Sequence, residues 1–159
     1  MSVSTSDDHV QAVIDILDNA SVGDFANYGS LPDGIEAQED VSQATKSNRD
    51  GVWLYVYSAS DENIVQQGKA WDAYESSRRV SVDIWSANDA STDGSQNANL
   101  MKLDVRDILL DFVNDNQSQT KFGRFHPVNS TDLRQETHPN SGDHARIVSD
   151  FRVQVLEQP

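Results

Sequence analysis

The chain has 159 residues, no cysteine and a formal net charge of −14, set by 26 acids against 12 lysines and arginines. That length suits one domain over residues 1–159, able to bury roughly 70% of the surface its unfolded form exposes. Without cysteine there is no disulfide, no thiol nucleophile and no thiolate metal ligand. No apolar run approaches the ~20 residues a membrane-spanning helix needs, so a soluble protein with no membrane partner is expected.

The acids are twenty Asp and six Glu, spread along the chain, while only four of the basic residues are Lys. Such a coat matches the composition of proteins from salt-in halophiles. Near 1 M salt the Debye length falls to about 3 Å, so self-repulsion is suppressed while carboxylates keep the surface hydrated. The same charge argues against a gene regulator, because neutralising phosphates needs a basic face.

Residues 6–19 are expected to form the first helix, capped by Ser4 or Ser6, with Asp7 and Asp8 in its first turn. Val10, Val13, Ile14 and Leu17 form its apolar stripe. A long polar loop follows over about 20–50, with a short strand near Ile35. Residues 51–58 (GVWLYVYS) form an aromatic and β-branched strand. Val52, Leu54 and Val56 share one face and Trp53, Tyr55 and Tyr57 the other, so both faces need cover, from this chain or from a neighbouring subunit. The IVQQG stretch extends a hairpin. In YESSRRVSVDIW, Val80, Val82 and Ile84 face the core, and Arg79, Ser81, Asp83 and Trp85 face away.

ANDASTDGSQNA is expected to break the chain before the strongest helix, about 97–115, whose Met101, Val105, Ile108, Leu109 and Phe112 repeat at helical spacing. A second irregular loop spans about 116–145. The final strand, ARIVSDFRVQVLE, turns Ile147, Phe151, Val153 and Val155 inward and Asp150, Arg152 and Gln154 outward. The order predicts an α+β fold, with a mainly antiparallel sheet packed by the N-terminal and central helices and carrying two long loops.

No constellation in the sequence points to an enzyme, and no catalytic, cofactor-binding or metal-binding residue is assigned. Asp83 lies on a strand, as in two-metal nucleases, but no following strand offers Glu-x-Lys. It is expected on the solvent face, paired with Arg79 or a cross-strand arginine such as Arg152. His9, His126, His138 and His144 lack helical metal spacing. Walker, dinucleotide and nucleophile-elbow motifs are absent. Aromatic and arginine content points instead to subunit contacts, for which the candidates are Trp53, Tyr55, Tyr57, Trp71, Tyr74, Arg78, Arg79 and Trp85.

The order of these segments resembles the tail terminator proteins of long-tailed viruses, also called tail completion or tail-to-head joining proteins: an amphipathic helix, VWLYVYS, RRVSVDIW, NLMKLDVRDILLDFV and ARIVSDFRVQVLE. The resemblance covers most of the chain and is one of order, length and pattern. It implies a small α+β subunit in a homo-oligomeric ring, usually a hexamer, between the tail tube protein and the neck or connector. DNA would pass through the ring without specific binding. With the acidic composition it implies a virion component of a virus infecting halophilic archaea, present in the host cytoplasm during assembly. Alternatives are another head–tail connector or tail subunit, or a stand-alone halophilic α+β enzyme or ligand-binding domain.

Overall fold

Alternating apolar residues at 80, 82 and 84 resolve into the centre of a long strand in a six-stranded sheet. A computed structural model describes residues 9–60, 64–65, 74–88, 93–112, 122–132 and 144–157. The elements are α1 (His9–Asp18), β1 (Gly34–Ala37), α2 (Gln43–Ser47), β2 (Val52–Ser60), β3 (Ile64–Val65), β4 (Tyr74–Ala87), α3 (Gly94–Asp111), β5 (Phe122–Asp132) and β6 (His144–Glu157). Single 3-10 turns lie at Val22–Asp24 and Gln38–Asp40. The architecture is α+β. The main strand order is β1-β2-β4-β6-β5, with β3 also pairing β4. β1 runs parallel to β2, and the other pairings are antiparallel.

One face of this sheet carries the core. Leu54 pairs with Ile84 and Ile84 with Ile147, Val56 with Val82, and Val80 with Phe151, all nearly inaccessible. Val13, Ile16 and Leu17 of α1 and Met101, Val105 and Leu109 of α3 join them in one apolar cluster. Each such side chain contributes about 1.5–3 kcal/mol on burial. The helical stripe expected in α3 is therefore the buried one, with Ile108 only half-buried and Leu110 exposed.

Three boundaries differ from the sequence expectation: α3 closes at Asp111 rather than near 115, because Phe112 turns to extended backbone (ψ 122°), and its start and the region after it also differ. Gly94 to Ala98 belong to the first turns of α3 rather than to a break, because the Asp93 side chain accepts the Gln96 amide at 3.1 Å and the Asn88 side chain accepts the Gly94 amide. The region 116–145 contains β5, an eleven-residue edge strand. Register shifts at Phe122/Phe125 and Pro127/Asn129 break its alternation, and an edge position tolerates Pro127. The proposed caps of the first helix, Ser4, Ser6, Asp7 and Asp8, lie outside the described residues.

The long 20–50 segment is pinned at both ends. Asp104 of α3, almost fully buried, accepts hydrogen bonds from the Asn27 amide (3.0 Å), the Asn27 side chain (2.8 Å) and the Tyr28 amide (2.7 Å). Asp33 bonds Val52 twice, once through each residue's backbone amide, both at 2.7 Å. Gly51 beside it has φ +84°, and a Cβ there would lie 1.9 Å from the Asp33 carboxylate, so only glycine fits.

The β4–β6 ladder runs from Tyr74↔Glu157 to Ala87↔His144. Its fourteen-residue strands span about 46 Å at ~3.3 Å per residue, while the eighteen-residue α3 covers only about 27 Å. The ladder outruns the helix that packs on it.

Candidate functional site: the sheet face opposite the helices

Register places Glu36, Trp53, Tyr55, Tyr57, Asp83, Trp85, Arg146 and Val148 on the face opposite α1 and α3. Among the described residues only the short α2 crosses it. Ser42 caps α2 by accepting the Thr45 amide at 3.2 Å. The helix then drives Lys46 down onto the sheet, where it is 5% exposed. Its ammonium lies 4.9 Å from the centre of the Tyr55 ring and 6.0 Å from that of Trp85.

Trp85 is the hub of this face. Tyr55 meets it edge-on at 6.2 Å and His144 at 5.7 Å, and the Arg146 guanidinium lies 4.5 Å from its ring centre. Arg146 Nη2 also donates to Asp83 Oδ2 at 2.7 Å. At the rim, Arg49 stacks on Trp53 at 3.9 Å and donates to Glu36 (2.9 Å) and to the Tyr55 hydroxyl (3.3 Å). His144 Nε2 contacts the Arg49 carbonyl at 3.0 Å, tying the start of β6 to the α2–β2 link. Trp53 lies flat on β1 because Gly34 has no side chain, since a Cβ would sit 2.2 Å from its ring. Its Nε1 donates to the Asp50 carbonyl at 2.8 Å.

Electrostatics follow from burial. Desolvation holds the Lys46 ammonium below its ordinary pKa of 10.5, opposed by the nearby Asp83 charge. Burial raises the Tyr55 phenol, partly offset by the Arg49 hydrogen bond, and raises Tyr57, partly offset by Ser81. The Glu36 hydrogen bond raises Arg49. For Lys46 the sign gives a direct expectation. A depressed folded pKa means the unfolded chain binds more protons, so stability rises with pH until the pH passes the unfolded value of 10.5. Lys46→Met keeps the buried stem and drops the charge. Relative to this variant, the parent should gain stability as pH rises toward 10.5 in paired thermal melts. A relative loss would mean that Asp83 holds the ammonium more strongly than burial penalises it.

Five sequence candidates gather here: Trp53, Tyr55, Tyr57, Arg79 and Trp85 share the face. Trp85, expected to be partly exposed, is 2% exposed, and Tyr55 is equally inaccessible, because Lys46, His144 and Arg146 cover them from within the chain. Arg78 pairs with the core residue Val153 and so projects to the opposite face from Arg79. Tyr74 opens β4 opposite Glu157, and Trp71 lies outside the described residues. Asp83 is corrected on exposure, being 1% exposed rather than solvent-facing; it does pair with a cross-strand arginine, but that arginine is Arg146, diagonally across on β6, rather than Arg152. Sequence reasoning missed Lys46, Arg49, His144 and Arg146. Only the outward parity of Arg146 in its alternating strand could have signalled one of them.

Among the described residues no group of three His, Asp or Glu side chains is placed to hold a metal, and no helix is long and apolar enough to cross a membrane. The chain matches no protein-family model, and no curated protein matches it significantly.

Proposed function

We propose that the chain is a ring-forming structural subunit of the tail terminator or completion class, joining a viral tail tube to the neck and working in a salt-rich setting. One observation carries this reading. Both helices pack on a single face of the sheet, and away from α2 the other face is left half-open at Tyr57, Val148 and Asp150. The part of this face that stays accessible, with Trp53, Tyr57 and Arg79 half-buried and Arg152 exposed, has the Trp, Tyr and Arg content that suits subunit contacts. The subunits would be homo-oligomeric, most simply a hexamer, with the tube protein and the connector as axial partners. Channel-lining acids would let DNA pass, since like charge repels phosphate.

Electron microscopy of the purified protein in molar salt tests the reading. Annular particles about the width of a viral tail are expected. Isolated subunits at every salt concentration would count against it.

A further inference from the structure

Three buried groups able to donate hydrogen bonds lie where α2 meets the sheet. Lys46 and Ser47 close the helix and Trp85 lies beneath it, all three more than nine-tenths buried. The Lys46 ammonium faces the Tyr55 ring at 4.9 Å and the Trp85 ring at 6.0 Å. The Ser47 hydroxyl and the Trp85 indole N–H are buried without a hydrogen-bond partner among the described residues. Folded proteins leave few buried donors unmet, and those that remain unmet within the chain mark places where an ion or water is held.

Charge points the same way. Beneath and beside α2, the three cations Lys46, Arg49 and Arg146 meet the two carboxylates of Glu36 and Asp83. Glu36 takes Arg49 at 2.9 Å, and Asp83 Oδ2 takes Arg146 at 2.7 Å. Asp83 Oδ1 is buried and without a partner as well, so this carboxylate attracts Lys46 without bonding it. Arg146 repels the same ammonium, and burial outweighs the Asp83 attraction. A buried cation short of counter-charge is costly, and an anion from solution supplies what the chain does not.

The rings select the kind of anion. Aromatic faces carry partial negative charge and aromatic edges partial positive charge. Lys46 takes the faces, which leaves the N–H on the Trp85 edge for an anion. A monovalent ion costs less to desolvate than a more highly charged one. We infer that Lys46, Ser47 and Trp85 form a binding site for one small monovalent anion of the halide class, chloride above all. The ion bridges the ammonium, the hydroxyl and the indole N–H, and so fixes α2 over the aromatic face. Salt then acts on this protein twice, screening the −14 charge that repels anions at long range and supplying the ligand. The inference does not depend on the ring reading and survives its failure.

Thermal melts of the full chain test it, at a constant ionic strength of about 1 M with bulky gluconate replaced stepwise by chloride. The melting temperature should climb and then level off, by about 3 °C once chloride reaches about ten times its dissociation constant. Lys46→Met should show no saturable gain. Ser47→Ala, a milder change, should move the chloride midpoint upward about fivefold or more. Chloride magnetic resonance reads the ion directly: its signal should broaden with the parent, sharpen when bromide competes, and stay narrow with Lys46→Met. A parent indifferent to chloride would overturn the inference. So would parent and Ser47→Ala responding alike, or a chloride signal broadened equally by parent and Lys46→Met.

Discussion

Asp83→Ala is expected to destabilise the chain by about 3–5 kcal/mol, because it strands the Arg146 guanidinium beside Trp85 without its carboxylate. For a domain of this size that corresponds to a fall in melting temperature of roughly 6–20 °C. The cost comes from the partner left behind rather than from the net worth of the pair. Replacing both members with apolar groups, Asp83→Leu with Arg146→Met, should therefore recover most of the loss. Asp83→Asn, which keeps an oxygen for Arg146 but removes the charge, should fall in between. Thermal melts of the four proteins check the series. An Asp83→Ala variant as stable as the parent would show that Arg146 finds solvent once released.

The second large effect is expected at Asp104. This carboxylate, on the α3 face turned toward residues 25–28, accepts three hydrogen bonds at 2.7–3.0 Å. Asp104→Ala leaves two backbone amides and a side-chain amide without their acceptor, at about 1–3 kcal/mol for each donor that water cannot reach. A total loss of at least about 3 kcal/mol is expected, again read by melting. Amide exchange separates a local from a global effect. The Asn27 and Tyr28 amides should exchange much faster in the variant, even where the β4–β6 ladder keeps its protection. Slow exchange at both positions would mean that other groups hold the segment. Phe25, fully buried one turn before, gives this anchor its purpose, because it fixes the loop that fills the end of the core.

The parts of the fold that were legible in the sequence are those where one periodicity ran uninterrupted. β2, β4 and β6 alternate cleanly through Leu54, Val82 and Ile147, and α3 repeats through Met101, Val105 and Leu109, so strands, helix and core face all followed. β5 was hidden because two register shifts and Pro127 disrupt its alternation, which only its edge position allows. The start of α3 was hidden because Asp93, Gly94 and Ser95 read as turn residues until the capping bonds from Asp93 and Asn88 are seen.

The open face was half legible. Strand parity put Trp53, Tyr55, Tyr57, Asp83 and Trp85 on one side. What covers them comes from α2 and from the start of β6, far away in sequence. Lys46 reaches Trp85 across 39 positions and His144 across 59. A lysine in a polar loop carries no local sign that it will be buried against two aromatic rings. The same non-locality explains why Asp83 found Arg146: an aspartate beside arginines in sequence pairs with whichever one the ladder brings diagonally opposite, and here that is on β6.

Charge decides how an assembly of such subunits must behave. Each copy carries −14, so a ring multiplies like charge, and at low ionic strength repulsion acts over about 30 Å at 0.01 M. Near 1 M salt that range shrinks to about 3 Å, and apolar and contact interactions can hold subunits together. Light scattering combined with native mass measurement, from about 0.01 M to above 1 M salt, is the most direct test of the proposed ring. A single closed species several times the 17.6 kDa subunit mass should appear as salt rises and dissociate on dilution of the salt. A monomer across the whole range would contradict the account.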